Sequence, residues 1–224
     1  ILMEDIFLKT SDGVRIAADI YDVARPKGWV VFLHMMPAMK ESWRGLAQAF
    51  VREGYAGIAI DLRGHGKSVH REIYTADHEP LDYQKFSDEE HQRSILDVEA
   101  AVAHCVSQGA KPDQISFIGA SFGANLALQY MCAHPEFLTA ILLSPGLDYR
   151  GIIAKPLACT LHEGQRVLFV SSFDDDGNAK EVQELYEVTP PGVKKDIIFY
   201  ETAGHGTMML AREPALQSCI IQFF

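Results

Sequence analysis

The sequence has no long hydrophobic run and a shortage of positive charge. No apolar stretch approaches the ~20 residues that a membrane-spanning helix needs, so no membrane span is expected. Lysine and arginine number 20 against 30 aspartates and glutamates, which gives a formal net charge of −10. This excess of negative charge argues against nucleic acid or an anionic membrane as the main partner. A signal peptide is also missing from the start, so a cytoplasmic location is the expectation.

Metal and disulfide motifs are absent as well. The four cysteines are too far apart to form a C-x-x-C pair, so reduced thiols are expected. No H-E-x-x-H sequence occurs, and His34, His65 and His205 are scattered along the chain. We therefore expect no metal site and no cofactor, and we expect structural roles for His34 and His65.

Segments typical of strands alternate along the chain with segments typical of helices. Residues 4–10 and 14–21 predict a hairpin, and the continuous apolar run Trp29–Leu33 predicts a strand covered on both faces. The other segments divide into helices predicted at 41–52, 88–107, 124–131, 179–186 and from 207 onward, strands at 55–60, 114–118, 137–143, 166–170 and 196–200, and loops at 68–87 and 144–165. This alternation predicts an α/β fold with a mostly parallel central sheet and helices on both faces. The 224 residues are most simply one domain spanning 1–224.

The pentapeptide Gly119-Ala120-Ser121-Phe122-Gly123 stands between a predicted strand and a predicted helix. A strand that turns directly into a helix around a central serine is the arrangement called a nucleophile elbow. The residues two positions either side of the serine must be small because strand and helix approach closely there. The helix N-terminus behind Ser121 supplies backbone N–H groups for a developing negative charge. Ser121 is therefore the predicted nucleophile.

A serine hydroxyl becomes a good nucleophile when a base accepts its proton and an acid orients that base. Two further loops, each following a predicted strand, supply such residues. One contains Asp174, Asp175 and Asp176, and the other contains His205 between two glycines. Reactive groups gather at the carboxyl ends of parallel strands, so these loops are expected to meet Ser121. The chain order serine, aspartate, histidine is the one expected for such a triad on an α/β sheet.

With these motifs the chain resembles the α/β-hydrolases, in particular small serine esterases with a minimal cap. The segment from Leu33 to Pro37 resembles the family's loop after the third strand, and Asp61–Ser68 resembles its Asp-x-Arg-Gly-x-Gly-x-Ser stretch. The resemblance implies that Ser121 is the nucleophile, His205 the base and one of the three aspartates the acid. It also implies an oxyanion hole formed by the backbone N–H groups of Met36 and Phe122.

The choice of acid among the neighbouring aspartates rests on counting. Counting forward from the strand gives Asp175, whereas counting back from the following helix gives Asp174. We predict Asp175, with the two neighbours in a solvated acidic loop. Asp148 is a further candidate because some members of the family carry the acid after the preceding strand.

The expected function is hydrolysis of small-molecule carboxylic esters through an acyl-enzyme on Ser121. Short acyl chains are expected because the segment 144–165 is too short to build a large cap. A thioesterase or a small serine peptidase would use the same residues. A non-catalytic binding protein of the same fold is the alternative from another class, although such proteins usually lack a triad residue. The sequence does not indicate an oligomeric state.

Overall fold

The computed structural model describes residues 3–72 and 79–224. Its strands are β1 (Met3–Lys9), β2 (Arg15–Tyr21), β3 (Trp29–Leu33), β4 (Ala56–Ile60), β5 (Ile115–Ala120), β6 (Thr139–Leu143), β7 (Asp148–Tyr149), β8 (Ile152–Ile153), β9 (Arg166–Ser172) and β10 (Lys194–Tyr200). Its α-helices are α1 (Arg44–Arg52), α2 (Asp88–Gln92), α3 (Ile95–Ser107), α4 (Phe122–Ala133), α5 (Ala154–Ala158), α6 (Asn178–Val188), α7 (Met208–Arg212) and α8 (Ala215–Phe223).

Eight of these strands form one sheet in the order β1-β2-β4-β3-β5-β6-β9-β10. Strands β1 and β2 pair antiparallel, and β2 pairs antiparallel with β4. The remaining neighbours, from β4 across to β10, are parallel. The predicted α/β fold with a mostly parallel central sheet is confirmed.

Helices cover both faces of the sheet. Alternate residues of β3 point to opposite sides, so Val31 belongs to one buried cluster and Phe32 to the other. The larger cluster packs the sheet against α3, α4 and α6, and the smaller cluster packs it against α1, α7 and α8. This double covering explains why the central strands read as uninterrupted apolar runs.

The structure corrects three of the predicted segments. The helix expected over 88–107 is broken between α2 and α3, where Ser94 N–H bonds His91 O and Asp97 N–H bonds Ser94 O in tighter three-residue turns. The helix expected from 207 onward is interrupted at Pro214, which has no N–H to continue the ladder. The segment 144–165 is more ordered than expected, because it contains the β7–β8 hairpin and α5.

The loop predicted over 68–87 is described only in part. A short 3₁₀ turn, Tyr83–Lys85, lies within it, and residues 73–78 fall outside the described residues. Among the helices of the described ranges, none has the length and apolar character to cross a membrane.

The parallel strands bring the chemically important loops to one edge of the sheet. β3, β4, β5, β6, β9 and β10 all end at the same edge, so the segments after residues 33, 60, 120, 143, 172 and 200 are neighbours. Carboxyl-terminal edges of such sheets are the usual place for ligand sites.

Candidate active site

Ser121 occupies a strained turn between β5 and α4. Its φ of 53° and ψ of −119° lie outside the regions that residues with a side chain normally adopt. A Cβ atom at Gly119 would collide with the carbonyl oxygen of Gly123, and one at Gly123 would collide with that of Leu33. Both flanking positions therefore require glycine, and the turn presents Ser121 at the edge of the sheet.

His205 sits on a loop that is held in place at both sides. The flanking residues Gly204 and Gly206 have φ values of 77° and 57°, a conformation that glycine adopts without strain. Gly204 N–H donates to Asp174 Oδ1 at 2.9 Å, and Gly206 N–H donates to the Ser144 hydroxyl oxygen at 2.8 Å. These two bonds fix the backbone on both sides of the imidazole.

Of the candidate acids, Asp175 contacts the histidine. Its Oδ2 lies 2.6 Å from His205 Nδ1. The Asp176 side chain is exposed, and Asp148 Oδ1 accepts a hydrogen bond from Gly151 N–H in the β7–β8 hairpin. The structure thus joins Asp175 to His205 and gives Asp148 a local turn contact.

Asp174 is exposed, as expected, and it also holds the loop that carries the histidine. Its Oδ1 accepts from the Ser172 hydroxyl at 2.5 Å and from Gly204 N–H at 2.9 Å, and Arg212 lies 3.7 Å from Oδ2. The Ser172 hydrogen bond, followed by that from Gly204, holds the pKa of this carboxyl below its usual range. Counting along the sequence could not show this role, because it depends on a contact with Gly204, which follows β10 about 30 residues later in the chain.

Ser121 and His205 face the same edge without sharing a hydrogen bond among the described contacts. The one side-chain partner of His205 in those contacts is Asp175. Hydrogen bonds between nucleophile and base are often long in unliganded enzymes and shorten when substrate binds.

The two predicted oxyanion donors lie at adjoining chain segments. Phe122 is the first residue of α4, where N–H groups lack intrahelical partners. Met36 lies in the loop that follows β3. These segments are in direct contact, because Gly123 packs against the carbonyl oxygens of Leu33 and His34. Within the described residues, the N–H groups of Met36 and Phe122 donate to no other protein atom.

His34 fixes the start of that loop. Its Nδ1 donates to Met35 O at 2.8 Å, and its Nε2 accepts from Leu62 N–H at 2.9 Å, so the ring is a neutral imidazole. Complete burial lowers the pKa of His34 to about 3, with the nearby His65 ring as a second cause. The structure therefore gives His34 a structural position.

The segment 61–68 builds the neighbouring loop. The carboxylate of Asp61 accepts from the backbone N–H groups of Lys40 at 2.9 Å and Lys67 at 3.0 Å. The hydroxyl of Ser68 donates to Asp61 O at 2.6 Å. These contacts tie the β4 loop to the loop after β3 and leave Asp61 facing backbone donors. Among residues 3–72 and 79–224, no cluster of three histidine, cysteine or acidic side chains has a metal-binding arrangement.

A comparison with known families decides the classification. The family described as "alpha/beta hydrolase fold" matches residues 28–159, which is more than half of the chain. The chain belongs to the α/β-hydrolase family. The predicted resemblance is therefore confirmed.

Two curated relatives of this α/β-hydrolase were found over shorter stretches. A non-heme chloroperoxidase of Kitasatospora aureofaciens is 43% identical over 60 residues, which are 27% of this chain and 21% of that protein. An sn-1-specific diacylglycerol lipase of Danio rerio is 26% identical over 144 residues, which are 62% of this chain and 39% of that protein. The matches thus span about a fifth and about two fifths of the lengths of these relatives.

Solved structures extend the likeness to the whole fold. An esterase of Pyrococcus furiosus superposes with a TM-score of 0.75 at 20% identity, covering 99% of this chain and 89% of that one. At this identity the agreement concerns the fold.

Sequence reasoning overlooked two residues that lie at the site of this α/β-hydrolase. Ser144 follows β6 with a φ of 51°, and its hydroxyl accepts from Gly206 N–H. Tyr149 lies in β7, its hydroxyl donates to Ser144 O at 3.4 Å, and the Ser121 side chain lowers its pKa. Ser144 stands directly after a predicted parallel strand, which is a signal that was available. Tyr149 had no such signal because the hairpin that positions it was not predicted.

Proposed function

We propose that this α/β-hydrolase is a serine esterase that cleaves short-chain carboxylic esters through an acyl-enzyme on Ser121. The observation that carries the proposal is the 2.6 Å contact between Asp175 and His205 at the edge of the sheet to which the elbow brings Ser121. A nucleophile on a strained turn, a histidine and a carboxylate that orients it are the groups that acyl transfer requires.

In the acylation step, Ser121 Oγ attacks the ester carbonyl carbon while its proton passes to His205 Nε2. Asp175 holds the imidazole through Nδ1–H and stabilises the imidazolium that forms. The backbone N–H groups of Met36 and Phe122 stabilise the oxyanion, since they have no partner among the described atoms. Collapse of the tetrahedral intermediate releases the alcohol with the proton from His205. A water activated by His205 then hydrolyses the acyl-enzyme.

Two observations support a small ester as the substrate. The names of the Danio rerio relative and of the Pyrococcus furiosus structure, a lipase and an esterase, both describe ester-cleaving proteins. Between β6 and β9 the chain holds the two-residue strands β7 and β8 and the five-residue helix α5, which is little material for enclosing a long acyl chain.

The test combines active-site labelling with a substrate panel. A fluorophosphonate probe is expected to label the wild-type protein and not Ser121→Ala, whose ester turnover falls by on the order of 10⁶-fold. Ser107→Ala, at an exposed serine on α3, is the matched control and keeps full labelling.

The panel contains p-nitrophenyl esters from acetyl to palmitoyl, a butyryl thioester and a short peptide. Highest kcat/KM on acetyl to butyryl esters supports the proposal. A highest kcat/KM on the palmitoyl ester contradicts the short-chain assignment. A preference for the thioester identifies a thioesterase, and a preference for the peptide identifies a serine peptidase. Absence of labelling and of turnover on a folded protein identifies a binding protein instead.

A further inference from the structure

A tyrosine outside the proposed triad lies against the nucleophile. Ser121 is tied to the end of β6 beside Ser144, because its backbone N–H donates to Leu143 O at 2.8 Å, and its side chain lowers the pKa of the Tyr149 phenol as a hydrogen-bonding neighbour. The other polar neighbours of the phenol are the carbonyl oxygen of Ser144 and the side-chain nitrogen of Asn178, each 3.4 Å from the phenol oxygen. The phenol can donate to the Ser144 carbonyl, whereas Asn178 can only donate to the phenol. Tyr149 therefore has one proton to give and two nearby oxygens that can accept it.

The chain around Tyr149 is built to keep the ring there. The buried side chain of Asn125 donates to Gly146 O at 2.9 Å and accepts from Gly146 N–H at 3.1 Å. Asn178, also buried, donates to Pro145 O at 2.8 Å. A Cβ atom at Gly146 would lie 2.5 Å from the ring carbon Cζ of Tyr149, so this position needs glycine for the ring to pack. Two buried amides and one glycine thus fix the hairpin that presents the phenol.

The phenol remains protonated under ordinary conditions. Burial raises the pKa of Tyr149 to about 12, and the negative charge of Asp175 acts in the same direction. A group in this state is a hydrogen-bond donor and cannot act as a general base near neutral pH. The Ser121 side chain acts on the pKa of Tyr149 in the opposite direction, as a hydrogen-bonding neighbour of the phenol does.

Building on the proposed function, we propose that Tyr149 is a further catalytic residue, whose O–H donates to Ser121 Oγ as negative charge develops on that oxygen. During attack the Ser121 O–H bond breaks, its proton goes to His205, and the Oγ–carbon bond forms. Tyr149 keeps its own proton and turns its hydrogen bond from the Ser144 carbonyl to Oγ. In deacylation the Oγ–carbon bond breaks, and the same donor stabilises the departing oxygen until His205 returns the proton.

The decisive variant is Tyr149→Phe, which removes one oxygen and keeps the ring. Removing a hydrogen bond to a group that gains charge in the transition state lowers kcat by about 10- to 100-fold. We expect that loss, with KM within about twofold, and an equal loss in the rate of fluorophosphonate labelling, because the probe forms its bond at the same Oγ. Circular dichroism and Tm report whether the fold is kept.

The matched control is Tyr130→Phe. Tyr130 is a buried tyrosine of α4 whose pKa burial likewise raises to about 12, and it packs among Phe117, Phe137 and His134 away from the site. This variant keeps the wild-type labelling rate. A second variant with 3-fluorotyrosine at position 149 restores an O–H and is expected to return the rate to the wild-type range.

Wild-type labelling by a folded Tyr149→Phe protein overturns the inference, as does a raised KM with unchanged kcat, which would make Tyr149 a wall of the substrate site. Failure of the 3-fluorotyrosine variant to recover the rate overturns it as well. These outcomes are distinct from failure of the proposed function. If Ser121→Ala is inactive while Tyr149→Phe is unaffected, the inference alone fails, whereas an active Ser121→Ala removes the esterase assignment itself.

Discussion

His34 and His205 stand at the ends of two parallel strands of one sheet, yet their surroundings differ in every respect. His34 is fully buried and both ring nitrogens bond backbone groups. The side chain of His205 is 30% exposed, and its Nδ1 faces the carboxylate of Asp175. The first ring is saturated with partners, and the second keeps Nε2 available at an open edge.

The comparison shows that partners and burial, more than residue type, decide what a histidine does here. Burial removes the charged state of His34 and makes it a fixed spacer between the loops after β3 and β4. The carboxylate beside His205 instead holds the orientation of a ring whose other nitrogen is left for a reacting group. The two residues therefore make opposite predictions for activity and stability.

The largest expected effect is on His205. His205→Gln is expected to lower kcat/KM by on the order of 10⁶-fold with Tm unchanged, because the proton acceptor is lost while packing is kept. His34→Gln is the paired variant, and it is expected to lower the free energy of unfolding by about 1–3 kcal/mol by leaving a buried backbone group without its partner. The contrast fails if the two variants show the same balance of activity and stability, as measured by ester kinetics and urea unfolding.

The next effect concerns the acid. Asp175→Asn is expected to reduce kcat/KM by about 10⁴-fold, since asparagine fails to stabilise the imidazolium and favours the wrong tautomer. Asp176→Asn, at the exposed neighbour, is the control and retains activity. A larger loss at Asp174 than at Asp175 on a short ester contradicts the assignment of the acid.

Buried histidines make stability fall in mild acid. The pKa of His34, about 3, and that of His65, about 4, lie below the value of 6.5 for an unperturbed histidine. As the pH drops below 6.5, these histidines become protonated in the unfolded chain but stay neutral in the folded chain, so the free energy of unfolding decreases. The decrease ends near pH 3 to 4, where the rings are also protonated in the folded chain. Each ring lowers the free energy of unfolding by up to about 1.4 kcal/mol per pH unit. For the two rings together, this raises the unfolding equilibrium constant by up to about 100-fold per pH unit.

Urea unfolding between pH 7 and pH 5 measures this slope. His65→Phe keeps an aromatic ring against Tyr83 and removes one titrating group, so the contribution of these two rings to the slope is expected to fall by about half. An unchanged slope in this variant shows that His65 is not responsible.

The smallest effect is expected at Asp174. Asp174→Asn weakens the acceptor of the hydrogen bonds from Ser172 and Gly204. The loop that carries His205 is then expected to shift, while Asp175 stays in place. A loss of about tenfold in kcat/KM is expected, well below that of Asp175→Asn, since small displacements of a catalytic group are costly. Asp176→Asn again serves as the control, and equal activity of the two variants contradicts the anchoring role.

Much of this arrangement was predictable because it is encoded locally. The glycines around Ser121 and the alternation of strands and helices are features of short segments, and they predicted the fold and the elbow. Counting forward from β9 also led to Asp175, whereas counting back from the following helix led to Asp174.

What escaped prediction depends on contacts between distant segments. Ser144 meets Gly206 across 62 residues of sequence separation, and Asp174 meets Gly204 across 30. The helix break lies just before Asp97, near the start of α3, and the carboxylate of Asp97 accepts hydrogen bonds from the backbone and the side chain of Arg63. No periodicity in one segment reports such pairings. Pro214 was different, because its effect on the last helix was visible in the sequence.

The hydrogen bond between Ser144 and Gly206 has a consequence for how activity is lost during unfolding. β10 lies at one edge of the sheet, with β9 as its partner among the described strands, and edge elements of this kind open at lower free energy than the interior. The loop that β10 carries is nevertheless fastened to the end of β6, an interior strand. Fraying of the edge must therefore break this hydrogen bond before it can carry His205 away, so the proposed activity is expected to survive to a higher denaturant concentration than it would without the bond.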